Sequence, residues 1–85
     1  MSHSVDWASA ARDQLAGLWL GHIAARQAIT VAQARVDQQL AADPHRNGNP
    51  LSEGLYAIVV HPLRVVYEIS DAKRSVTVVS ISLLP

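Results

Sequence analysis

Few side chains in this 85-residue sequence can do chemistry, and most of them stand alone. Arg64 opens an otherwise apolar run, LRVVYEIS, with little that ionises around it. An Arg at the head of a strand can stabilise charge on a phosphate during transfer, the electrostatic help that RNA cutting needs. It can equally pair with Glu68, four residues further along the same strand face. His61 precedes Pro62 and reads as a turn residue, with acid–base work as the alternative. Tyr56 and Tyr67 read as ring packing, and Trp7 and Trp19 as core. Lys73 and Arg74 close a turn, too few charges for a nucleic-acid footprint. The four histidines, His3, His22, His45 and His61, lack ligand spacing, and there is no Cys. Neither a metal site nor a cofactor is expected.

Composition narrows the classes further. Seven Lys and Arg balance seven Asp and Glu. A nucleic-acid module draws most of its affinity from a basic face, and no basic excess exists to build one. With 49% hydrophobic and 16% charged residues, the chain is too apolar for disorder. Its uncharged runs fall short of the about 18–20 residues of a spanning helix, so no membrane contact is expected. The N-terminus has no basic stretch followed by an apolar one, which makes the cytoplasm the expected location. One domain over residues 1–85 is expected, burying only about 60–65% of its unfolded surface. A partner subunit is the expected further stabiliser.

The elements that position these residues follow from periodicity. SVDW (residues 4–7) alternates and suits a short first strand. In residues 8–23, Ala11, Leu15, Leu18, Trp19 and Ile23 form one helical stripe, with Gly21 as a stop signal. A second helix runs through residues 25–43, with Ile29, Ala32, Val36 and Leu40 on one face. Asp43-Pro44 ends it, because the residue before Pro disfavours helical geometry. DPHRNGNPLSEG reads as a loop. Three β-rich runs follow, LYAIVV (55–60), LRVVYEIS (63–70) and SVTVVSISLL (75–84), and their short connections make them antiparallel neighbours. The fold class is α+β: a short N-terminal strand and an antiparallel helix hairpin packed on one face of a small antiparallel sheet.

Alternation divides that sheet. Ala57, Val59, Arg64, Val66 and Glu68 share one face, while Tyr56, Ile58, Val60, Val65, Tyr67 and Ile69 share the other. The hairpin covers only one of them. A second face with Ala57, Val59, Val66 and Val78 would be wet and apolar, the mark of a protein-contact surface. Val59, Arg64, Val66, Glu68 and Val78 are therefore the expected partner-binding residues. Leu20 or Val31, outward on the helices, could add a second contact.

This order of elements resembles the RelE/ParE superfamily of toxins from type II toxin–antitoxin systems over nearly the whole chain. The resemblance is carried by Trp7 closing the first strand, Ala11 and Leu15 at spacing four, a second helix ending at ADP, the EGLY stretch, and the strands LRVVYEIS and VTVVSIS. Arg64-Val65-Val66-Tyr67 matches the family's third strand most closely. The resemblance implies a cognate antitoxin as partner. RelE-like members cut ribosome-bound mRNA with clustered cations, two of them lysines at alternate positions of one strand. Here those positions hold Ala57 and Val59, and a final Arg falls at or next to Leu84. Arg64 alone matches, which leaves it a weak catalytic candidate.

The expectation is a toxin-like protein that acts by binding protein, in the ParE direction, without mRNA cleavage. The alternative is a RelE-type ribosome-dependent endoribonuclease with a non-standard cationic site built from Arg46, Arg64 and His61. A second copy of the chain is a further candidate partner. Gyrase and the ribosome are the candidate targets.

Overall fold

A computed structural model describes residues 3–85. The elements run β1 (Ser4–Trp7), α1 (Ser9–Gly21), a 3₁₀ turn (Ile23–Ala25), α2 (Arg26–Ala42), α3 (Pro44–Asn47), β2 (Asn49–Ser52), β3 (Leu55–Val60), β4 (Leu63–Ser70) and β5 (Ser75–Leu83). The strands form one sheet in the order β1-β5-β4-β3-β2. β1 runs parallel to β5, and the other pairs are antiparallel. The α+β architecture is the expected one, with the sheet mixed at one edge.

Helix α2 carries the packing. Its spacing of three and four puts Ile29, Ala32, Val36 and Leu40 on a single stripe, and all four are buried. They meet Ile58, Leu63, Val65, Tyr67, Val76, Val78 and Ile81 from one sheet face, with Ala11 from α1. Helix α1 keeps to its expected stripe only in part. Ala11 is buried, and Leu15 and Leu18 pack against the core. Trp19 instead lies against Arg26, whose guanidinium carbon is 4.1 Å from the ring centre, while Ile23 is 73% exposed. Ile23 falls in the 3₁₀ turn, past the helical register that placed it on the stripe.

The stretch read as a loop is more ordered than expected. Asp43 ends α2 and also caps α3, its side chain accepting from the Arg46 N–H, with Pro44 at the first helical position. The chain then adds β2 as an edge strand. Tyr67 anchors this segment by donating its hydroxyl to the Pro44 carbonyl at 2.6 Å. The Tyr67 hydroxyl is pushed up to about 12 by burial, and by the charges of Tyr56 and Asp43. His45 bridges the same segment to the β4–β5 turn, 2.7 Å from Asp71.

One irregularity decides the faces of the sheet. The β4–β5 register slips between Val66 and Tyr67: Val66 pairs with Ser80 and Tyr67 with Val78, so Val79 is an extra residue. This bulge switches the parity of β5. Val78, expected on the open face, lies beside Tyr67 in the core and is 0% exposed.

Candidate functional site

The sheet face away from the helices is built in rows by the strand register. One row holds Val59, Arg64 and Ser82; the next holds Asn49, Ala57, Val66 and Ser80; a third holds Leu55, Glu68 and Thr77. Thr77 leads on to Asp6 of β1. Alternation along each strand aims these side chains outward while their neighbours enter the core. Four of the five residues expected to meet a partner, Val59, Arg64, Val66 and Glu68, therefore share this face. Val78 does not.

Val59 is 56% exposed, the largest apolar exposure in the three rows. Ala57 is buried despite facing outward, because its one methyl group sits between Asn49 and Val66 in the same row. Arg64 and Val66 are half-buried, and Glu68 is exposed. The expected Arg64–Glu68 pair is not made. Four residues along a strand span about 13 Å, and Arg64 forms no ion pair among the described residues. Arg64 is also the only cation that the described strands aim into these rows.

The positions matched to the family's cations do come together. Ala57, Val59 and Arg64 lie in adjacent rows. Leu84 is held just beyond β5 by its N–H, which donates to the Pro62 carbonyl at 2.7 Å, at the Arg64 end of the sheet. The alternative set of cations does not converge. His61 lies on the helix side, lining a cleft with Arg35 and Val31. Arg46 sits on α3, whose Pro44 and His45 are bound to Tyr67 and Tyr56 of the helix-facing rows.

Tyr56 and Tyr67 are packing residues, as expected: their rings stack at 5.7 Å. Trp7 packs against the core and donates its indole N–H to Asp37 at 2.9 Å. Trp19 is half-exposed rather than core. Leu20 and Val31 are exposed on the helices, at the far side of the molecule from the open face.

The polar members of the face, Thr77, Ser80 and Ser82, escaped the sequence reading, although a signal existed. In SVTVVSISL the polar residues fall at 75 and 77, then at 80 and 82. That change of parity across Val78-Val79 marks the bulge.

No group of three or more His, Cys, Asp or Glu among the described residues is placed to hold a metal ion. Among those residues, no helix is long and apolar enough to cross a membrane.

No protein-family model matches the chain, and no curated protein matches it. Solved structures do match. A chain of the RelBE2 toxin–antitoxin complex of Mycobacterium tuberculosis superposes with a TM-score of 0.80 at 22% identity, covering 98% of this chain and 99% of that one. A chain of the chromosomal ParDE toxin–antitoxin system of P. aeruginosa gives 0.80 at 13% identity, over 99% and 98%. The isolated E. coli RelE toxin gives 0.64 at 19% identity, over 99% and 86%. The resemblance carried by the sequence is thus a likeness of fold over almost the full length, and the chain has the fold of the RelE and ParE toxins.

Proposed function

We propose that this chain is a RelE/ParE-like toxin of a toxin–antitoxin system, that it acts in the cytoplasm by binding protein, and that a cognate antitoxin covers the open face of its sheet. The observation that carries this reading is the composition of that face: Val59, Ala57, Val66 and Leu55 around the single cation Arg64. Its shape is that of a contact surface, an apolar centre with polar groups beside it in Glu68, Thr77, Ser80 and Ser82. Support comes also from the matched structures, several of which are toxin–antitoxin complexes.

The same composition argues against RNA cutting. In-line attack by a 2′-hydroxyl needs one group to take its proton, another to protonate the leaving oxygen, and cations on the phosphate. Loss of a single charge-stabilising donor typically costs ~3–4 kcal/mol of barrier. With Ala57, Val59 and Leu84 at the matched positions, Arg64 has no fellow cation there. Under this reading the target is met by surface contact. Gyrase and the ribosome are the two candidates, separable by a supercoiling assay and a translation assay.

The test is co-expression with the adjoining reading frame, followed by co-purification and an RNA-cleavage assay on programmed ribosomes. A stable complex that Val66→Lys weakens at least tenfold, with uncut mRNA, is the expected result. Cleavage that disappears on Arg64→Ala overturns the binding reading. A complex indifferent to Val66→Lys moves the interface off this face.

A further inference from the structure

A second surface lies at the opposite edge of the sheet from β2. β1 is an outer strand, paired on one side only, with β5. The Ser4 N–H donates to the Arg74 carbonyl and the Ala8 N–H to the Val78 carbonyl. Main-chain groups alternate in direction along a parallel strand, so those of Val5 and Trp7 point outward, away from β5. At His3 this outer edge is already closed, because its N–H donates to the Ala41 carbonyl at the end of α2 at 2.8 Å. Beyond His3 it opens. Two residues thus present donors and acceptors in strand geometry, a short template for strand addition.

The open edge borders a cleft of about 540 Å³ between β1, α1 and α2, lined by His3, Trp7, Arg12, Gln33 and Asp37 among others. Two groups in it call for a partner. The Nδ1 atom of His3 is buried and has no hydrogen-bond partner among the described residues. An unmet polar atom in such a place is costly, and an arriving donor removes the cost. Asp37 is half-buried, and one of its oxygens accepts from the Trp7 indole. The cleft's cation, Arg12, is exposed and solvated. The half-buried carboxylate is less screened, so it is the charge that discriminates between ligands.

We propose that the outer edge of β1 takes an extended segment of a partner polypeptide as a sixth strand, with a lysine or arginine of that segment reaching Asp37. A strand laid against Val5 and Trp7 turns every second side chain toward the helices, and therefore into this cleft. The residue opposite Trp7 enters beside Asp37. This site does not depend on the toxin-like reading, since it uses neither Arg64 nor the open face.

The test uses the full chain, labelled with nitrogen-15, and two blocked peptides: Val-Thr-Lys-Thr-Val and the same peptide with Glu in place of Lys. The lysine peptide is expected to shift the Trp7 indole and the Val5 and Trp7 amide signals, and to bind at least tenfold more tightly than the glutamate peptide. Asp37→Asn should erase that preference. Val5→Pro should abolish binding of both, since its N–H points away from β5 and the ladder does not use it. If Val5→Pro fails to fold, the Asp37→Asn comparison decides alone. Equal binding of the two peptides, shifts confined to Val59 and Val66, or no shift at all would overturn the proposal.

Discussion

The two faces of the central sheet come from the same strands and nearly the same residue types, yet they lie in opposite surroundings. Toward the helices, Leu63, Val65, Tyr67, Val76 and Val78 are fully buried against Ile29, Val36 and Leu40. On the other face, Val59 and Val66 stand in rows with Arg64, Ser80 and Ser82 and meet no second layer. Valine lies on both. What separates a core valine from an open-face valine is the parity of its position, and in β5 one extra residue sets that parity. The difference teaches that composition alone cannot assign a face; register does.

The comparison is broken most sharply by one substitution made on the core side. Val78→Lys places an ammonium group where the side chain is 0% exposed, with no acid in the core to pair it. An uncompensated buried charge costs several kcal/mol, comparable to the whole stability of a small domain. The variant should be unfolded at 25 °C by circular dichroism. A cooperative melt near that of the wild type would return Val78 to the open face and remove the bulge from the account.

Gly48→Ala should come next. A Cβ at Gly48 would overlap the Tyr67 hydroxyl and press on the Ala57 carbonyl, so the segment between α3 and β2 would have to move. Overpacking of this kind typically costs ~1–3 kcal/mol, readable as a lower midpoint in urea. Adding Tyr67→Phe removes the nearest overlapping atom, so the pair should cost less than the sum of the singles. Strict additivity would show that Gly48 and Tyr67 do not share this contact.

These positions also show what the sequence could and could not reveal. α2 was legible because Ile29, Ala32, Val36 and Leu40 repeat with helical period over several turns. β3 and β4 were legible because they are unbroken β-rich runs between clear turns. Short pieces rich in turn residues were not: α3 and β2 have four residues each, with Pro, Asn and His, and form through tertiary contacts to Tyr67, Tyr56 and Ala57. Asp43-Pro44 carries two signals at once, a stop for α2 and a cap with a first helical turn for α3, and only the first stands out locally. The parallel pairing of β1 with β5 is a long-range choice that no local pattern encodes. On the open face, Val59, Arg64, Val66 and Glu68 were legible as one-face neighbours because they lie within single strands on one side of the bulge. Val78 was misplaced because it lies beyond it.

Alkaline pH probes the core face through Tyr67. Its hydroxyl value is raised by burial from 10.0 to about 12. The folded state therefore holds this proton more tightly than the unfolded chain does. The stability so gained is whole below pH 10 and is lost as pH rises from 10 toward 12. Tyr67→Phe should remove that part of the alkaline loss while costing ~1–3 kcal/mol at pH 7, because the buried Pro44 carbonyl loses its donor. Urea midpoints from pH 7 to 12 show both effects. An identical alkaline decline in the two proteins would assign it to other groups.

The smallest effect on folding is expected at Val59, and it sharpens the comparison because the substitution is the same as at Val78. Val59 is 56% exposed, so Val59→Lys puts its ammonium group into water and leaves the helix-facing core untouched. Surface changes of this kind stay within ~0.5 kcal/mol, a shift of only a few degrees in Tm for a domain this small. Its cross-strand partner is Arg64, so a second cation beside it adds a little repulsion, which salt should screen. Binding should respond quite differently. A charge set into the apolar centre of a contact surface must be desolvated when a partner docks, and no acid stands in its row to receive it. Val59→Lys is therefore expected to melt like the wild type and to weaken the proposed antitoxin complex at least tenfold. A loss of several degrees in Tm together with unchanged binding would reverse the two faces, making Val59 part of the packing and leaving the partner to bind elsewhere.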